Sequence, residues 1–281
     1  MSERARPTAI GAAFDACRRE RRAAFIPYLA AGDPDLDTTG ELLDALVAGG
    51  ADLIELGVPF SDPIADGPVN QRAAFRALQS GTTLSGILRL IHRKREALGV
   101  PVVLFTYFNP IHARGVATFA EQAASSGVDG LLCVDLPPEE AREELIPALR
   151  EQGIDSIFLL APTSDRDRVR KVARASTGFV YYVSRTGVTG VRDQLVPELA
   201  AELRRVRGGV KQPLAVGFGI STPEQVAAVG RLADGVVVGS ALVRLVEEKA
   251  GRAGLASALE ERVRELSAPL HQRRRRLFGR R

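Results

Sequence analysis

Short, continuously apolar runs alternate along this chain with longer stretches in which apolar residues recur every three or four positions. The first pattern marks strands buried on both faces, and the second marks amphipathic helices. Eight runs read as strands: Ala24–Leu29, Asp52–Glu55, Val102–Tyr107, Gly130–Val134, Ser156–Leu160, Phe179–Val183, Leu214–Gly217 and Gly235–Val238. Helical spacing is clearest over Leu42–Val47, Leu84–Leu98, Phe119–Ser125, Glu139–Glu151, Arg166–Arg174, Leu195–Arg207 and Glu224–Val229. Thr8–Arg19 predicts an extra helix before the first strand, Gly239–Lys249 an extra helix near the eighth, and Arg252–Leu266 a closing one. Such alternation predicts a parallel sheet covered by helices, and about eight units close a single (β/α)8 barrel. Gly-Ala-Asp at 50–52, Gly-Val-Asp at 127–129 and Gly-Ile-Asp at 153–155 each precede an apolar run, as repeated helix-to-strand turns would. The rival fold, an open doubly wound sheet, would carry Gly-x-Gly-x-x-Gly after its first strand; the turn there is Ala30-Ala31-Gly32-Asp33-Pro34.

Composition narrows the class. The 281 residues are 45% apolar and 26% charged, and no apolar run approaches the ~20 residues of a membrane helix. The first residues lack a signal-peptide core, and the two cysteines, Cys17 and Cys133, fall in a predicted helix and a predicted strand; a cytoplasmic protein is expected. The net charge of +4 comes from the end of the chain: six arginines lie among the last nine residues, and without them 32 basic residues face 34 acidic ones. A barrel over 1–268 followed by a basic, frayed tail over 269–281 is the expected organisation, with neither nucleic acid nor membrane as partner of the barrel.

The candidate chemistry is concentrated in Asp52-Leu-Ile-Glu-Leu-Gly-Val-Pro-Phe-Ser-Asp-Pro-Ile-Ala-Asp-Gly-Pro68. Glu55 ends a predicted strand, where burial without a partner is costly. Asp66 follows in a loop stiffened by Pro59, Pro63 and Pro68, and can fold back toward it. Two carboxylates around one small substrate suit general acid–base catalysis. On residue type alone, Glu55 also fits a strand-end partner for an arginine, and Asp66-Gly67 also fits a plain turn.

Three glycine-bearing loops follow the last three strands: Ser184–Gly190, long enough for a lid; Gly217–Thr222; and Gly239-Ser240, opening a helix. In barrels these positions bind phosphate. The four lysines lie in predicted helices or before a strand, away from the catalytic rim where a Schiff base would form, and His92, His112 and His271 make no close-spaced metal pair. Acid–base catalysis by carboxylates, with no cofactor and no metal, is what remains.

Residues 55–68 resemble the signature of the tryptophan synthase alpha subunit, and the resemblance extends over Phe25–Pro34, Thr106–Pro110, Val134–Pro137, Leu160–Pro162 and Tyr181–Gly190. It implies cleavage of indole-3-glycerol phosphate to indole and glyceraldehyde 3-phosphate. Glu55 would then protonate the departing indole carbon and take the glycerol hydroxyl proton, and Asp66 would accept the indole N–H. An apolar wall favours protonated Glu55, and a wetter loop keeps Asp66 ionised. By the same resemblance Tyr181 stands beside the glutamate. Arg185 and Thr189 belong to the lid, and Gly190, Gly219, Gly239 and Ser240 contact phosphate. Tyr28, Phe105, Leu132 and Phe218 line the indole pocket, with Leu132 equally suited to the barrel core. Phe105 fills a slot often held by a smaller aliphatic residue. The family pairs with a beta subunit in an alpha2beta2 heterotetramer, and Pro59, Asp62 and Asn109 match that contact. A free-standing lyase and a non-catalytic barrel acting as a regulatory partner are the competing readings.

Overall fold

The structure, a computed structural model, describes residues 8–184, 192–217 and 219–271, with the backbone alone over 192–196. Arg185, Thr189, Gly190, Phe218 and the arginine-rich segment from 272 onward lie outside the described residues.

Eight parallel strands close into a barrel in chain order: β1 (Ala24–Ala30), β2 (Ile54–Gly57), β3 (Val102–Thr106), β4 (Gly130–Cys133), β5 (Asp155–Leu160), β6 (Val180–Val183), β7 (Leu214–Gly217) and β8 (Gly235–Val238), with β8 pairing back to β1. The helices are α1 (Ala9–Arg19), α2 (Leu36–Ala48), α3 (Pro68–Gln79), α4 (Leu84–Leu98), α5 (Phe108–His112), α6 (Val116–Ser126), α7 (Pro138–Ala141), α8 (Leu145–Glu151), α9 (Arg166–Ala175), α10 (Arg192–Arg207), α11 (Pro223–Val229), α12 (Ser240–Lys249) and α13 (Leu255–His271). This is the TIM-barrel arrangement, in which active sites occupy the C-terminal rim of the strands. No described helix is long and apolar enough to cross a membrane.

The strands bury both faces, as their unbroken apolar runs require. Outward residues such as Ile54, Leu56 and Leu104 join the layer beneath the helices. Inward residues such as Leu53, Val103 and Ile157 fill the barrel, whose N-terminal end is closed by Ile10, Phe14 and Cys17 of α1. The extra N-terminal helix is therefore a plug, which leaves the opposite end as the open one. The closing helix α13 runs to His271 with Leu270 buried, three residues past 268.

Among the helices, α3, α5 and the pair α7 and α8 depart from the sequence pattern. The helix α3 was not expected, because its buried face holds only Ala73, Ala74 and Ala77 while Phe75 and Leu78 face outward. Its apolar periodicity is thus inverted relative to its burial. The predicted single helix Glu139–Glu151 is two, α7 and α8. Pro147 lacks the N–H that a continuous helix would need there, and fits only in the first turn of a new one.

The Gly-x-Asp turns have a physical role. Asp52 accepts the Phe25 N–H at the start of β1 (2.8 Å), and Asp129 accepts the Val102 N–H at the start of β3 (2.9 Å). Arginines pair with both: Arg22 with Asp52 and Arg95 with Asp129. Asp234, outside the repeated motif, does the same for Leu214 on β7 and pairs with Arg207. Each aspartate so caps the strand before its own. Asp52 consequently lies outside β2, which runs on to Gly57, and Glu55 sits within the strand rather than at its end. Asp155 is the exception: its Oδ2 is buried without a hydrogen-bond partner.

Asp129→Ala strands a strand-start N–H and an arginine, and should lower stability by about 2–4 kcal/mol. Asp155→Ala should cost less than half as much. Urea midpoints of the two variants at pH 7 check the contrast.

Candidate active site

Period-two alternation places Leu53 and Glu55 inside the barrel and Ile54 and Leu56 outside it. Glu55 is paired in register with Tyr28 of β1 and Val103 of β3, and is only 1% exposed. Its Oε1 has no hydrogen-bond partner among the described residues. Burial, reinforced by the charge of Asp66, pushes its carboxyl up to about 8. Glu55 is therefore protonated at neutral pH and able to donate.

Two tyrosines flank it. Tyr28 meets Phe105 edge-on, with ring centroids 5.5 Å apart. A Cβ at Gly57 would come within 2.3 Å of the Tyr28 hydroxyl, and one at Gly217 within 2.2 Å of the Tyr181 hydroxyl. Both strand-end glycines are thus required for the rings to cross them. Burial first, then the neighbouring acids, holds both phenols well above their ordinary range, so both remain neutral donors.

Asp66 is brought in from the loop after β2. Its Oδ2 accepts the Tyr107 hydroxyl at 2.8 Å, and Tyr107 in turn accepts the Ala65 N–H at 3.0 Å. Phe60 stacks on the Tyr107 ring at 5.0 Å. Gln71 donates to the Asp66 carbonyl oxygen at 2.9 Å and so ties the loop to α3. The expectation that a wetter loop keeps Asp66 ionised needs a different physical cause, because Asp66 is partly buried. Burial raises its carboxyl, and hydrogen bonds from Tyr107 and Asn70 oppose that rise. Two fixed donors, rather than bulk water, favour its ionised form.

Glu55, Asp66, Tyr28 and Tyr181 share one cavity of about 320 Å³. Its walls are apolar, with Phe105, Val134, Leu159 and Val237 among them, and Gly219, Gly239 and Ser240 also line it. Gly219 has φ +74°, a left-handed backbone that favours glycine. Gly239 precedes α12 without a side-chain cap, which leaves the first N–H groups of that helix available to an anion. The site is amphiphilic: a dry half carrying two acids, and a glycine-lined half with helix-end donors.

Leu132 does not line this cavity. It is fully buried inside the barrel with Val103 and Ile157, one layer further down. Pro59, expected on an exposed contact loop, is buried, whereas Asp62 and Asn109 are exposed. Ile64, between Asp62 and Asp66, is 88% exposed, the largest value among the described large apolar residues. Tyr107 and Asn70 had no role in the sequence reading. Tyr107 lies 41 residues from the aspartate it holds, so nothing local marks it. None of the four lysines lines the cavity among the described residues.

A sequence model of the family described as "Tryptophan synthase alpha chain" matches residues 14–271. The tryptophan synthase alpha chain of Solibacter usitatus is 54% identical over 259 residues, covering 92% of this chain and 97% of the relative. That of Gloeobacter violaceus is 49% identical over 268 residues, covering 95% and 94%. Among solved structures, tryptophan synthase subunit alpha from Legionella pneumophila superposes with a TM-score of 0.86 at 37% identity, over 94% of this chain and 98% of that one. A tryptophan synthase chain from M. tuberculosis superposes with a TM-score of 0.84 at 36% identity, over 94% and 99%. With a buried acid facing a second carboxylate across a glycine-rimmed barrel mouth, and with this breadth of likeness, the chain belongs to the tryptophan synthase alpha chain family.

Proposed function

We propose that this chain cleaves indole-3-glycerol phosphate by a retro-aldol reaction, without a cofactor, to indole and glyceraldehyde 3-phosphate. The observation that carries this reading is the buried Glu55 sharing one cavity with Asp66, a burial that pushes its carboxyl upward. Glu55 donates its proton to the indole ring carbon that bears the glycerol chain. The ring nitrogen gains positive charge as that carbon becomes tetrahedral, and Asp66 stabilises the charge by accepting the N–H. The Glu55 carboxylate then takes the proton of the adjacent chain hydroxyl. As the carbonyl forms, the carbon–carbon bond breaks and its electrons return to the ring. Glu55 ends protonated, as it began, so the cycle closes without an external acid. Tyr181 and Tyr28 hold the space around Glu55 dry, which is what keeps its proton in place. Gly219, Gly239 and Ser240 receive the phosphate, and Gly190 and the lid residues Arg185 and Thr189 complete the enclosure in this reading. Phe105 narrows the indole half of the pocket by its edge contact with Tyr28.

The product indole passes to a pyridoxal-phosphate-dependent beta subunit in an alpha2beta2 assembly. The exposed Asp62, Ile64 and Asn109 on the catalytic rim support that contact, because a bare isoleucine among polar neighbours is suited to a partner surface. Two free, buried cysteines fit a reducing cytoplasm.

Glu55→Gln should lower kcat by ~10²-fold or more with substrate binding largely kept, measured as indole release. If this variant turns over at the normal rate, the assignment fails. Because Glu55 must be protonated to start the cycle, the rate of the wild type should fall as pH rises through about 8. The same upward displacement destabilises the folded wild type between its ordinary value of 4.5 and about 8, so Glu55→Gln should gain on it in stability over that interval. Purified beta subunit should raise the rate of indole formation; equal rates with and without it would instead indicate a free-standing lyase.

A further inference from the structure

We infer that Arg244 is a substrate-binding residue that takes the phosphate of the substrate together with the glycine loops. This deepens the reading above and rests on it. Arg244 lies four residues after Ser240 on α12, so the two share one face of the helix. Helical side chains lean toward the helix N-terminus, which carries the guanidinium back over the turn that holds Ser240. Arg244 accordingly lines the catalytic cavity together with Gly219, Gly239 and Ser240.

Its charge is not otherwise engaged. Arg244 is exposed, and it has neither an ion pair nor a hydrogen bond among the described residues. The acid one turn further along α12, Glu247, is occupied by Arg72 (2.7 and 2.8 Å) and Arg76 (2.7 Å) of α3. Arg244 is also the sole basic side chain in the described lining, where the other charged groups are Glu55 and Asp66. A phosphate dianion entering a cavity with two acids meets repulsion that the partial charge of one helix N-terminus offsets only in part. A guanidinium presents a planar fork suited to two phosphate oxygens, and its position at the rim keeps it away from the reacting carbons.

The test uses the full chain with Arg244→Ala and Arg244→Lys. In indole-3-glycerol phosphate cleavage, Arg244→Ala should raise KM about tenfold and change kcat less than threefold, because the phosphate does not react. Arg244→Lys should recover part of the loss. Inorganic phosphate, as a competitive inhibitor and as a titrant in calorimetry, should bind Arg244→Ala about tenfold more weakly than wild type. Urea midpoints should be unchanged, since the residue has no partner to strand. An unaltered KM and unaltered phosphate affinity in Arg244→Ala would overturn the inference while leaving the proposed reaction intact. A wild type that releases no indole would overturn the reaction, and phosphate calorimetry would still decide the role of Arg244.

Discussion

A carboxyl group held uncharged inside an apolar barrel is the constraint on which the site depends. Glu55 is inside β2 rather than at its end, with its Oε1 left without a hydrogen-bond partner among the described residues. Burying a carboxylate there would be prohibitive, so the group keeps its proton at neutral pH. Its surroundings are arranged to leave it that way. Tyr28 and Tyr181 close over it, Gly57 and Gly217 give their hydroxyls room, and the wall residues supply no cation. A lysine or arginine next to Glu55 would lower its pKa and remove the donor. The one described cation of the lining is Arg244, which shares that lining with Gly219, Gly239 and Ser240.

The second acid is governed by different forces. Asp66 reaches the cavity on a loop, and its position comes from Tyr107, Asn70 and Gln71 rather than from the strand ladder. The helix that follows, α3, is anchored on its outer side. Arg76 joins Asp33, 2% exposed at the end of the β1 turn, to Glu247 of α12. A single guanidinium thus links three segments of the catalytic rim. The same α12 begins at Ser240 in the cavity lining, so the loop bearing Asp66 and this helix are braced against one another.

The opposite end of the barrel carries stability. Aspartates 52, 129 and 234 cap strand starts and hold arginines, and α1 seals the interior with Ile10, Phe14 and Cys17.

Much of this was legible before the fold was known, for local reasons. Unbroken apolar runs separated by helical periodicity determine a parallel barrel, because strands covered on both faces have no polar side to show. The acids of residues 52–68, set among prolines and glycines, suit acid–base chemistry, but residue type alone fits a strand-end ion pair and a plain turn equally, and the family resemblance chose between them. Where periodicity misled, burial was the cause: α3 buries alanines and exposes Phe75, and Leu132 lies a layer below the pocket. What tertiary structure alone decided is which distant groups meet. Tyr107 holds Asp66 from 41 residues away, Arg76 spans three elements, and Arg244 lines the cavity with Ser240 only because α12 is docked at the rim. Strand and helix patterns are set by neighbours along the chain, whereas the acidity of Glu55 and the reach of Arg244 depend on solvent exclusion and closure, which no segment possesses by itself.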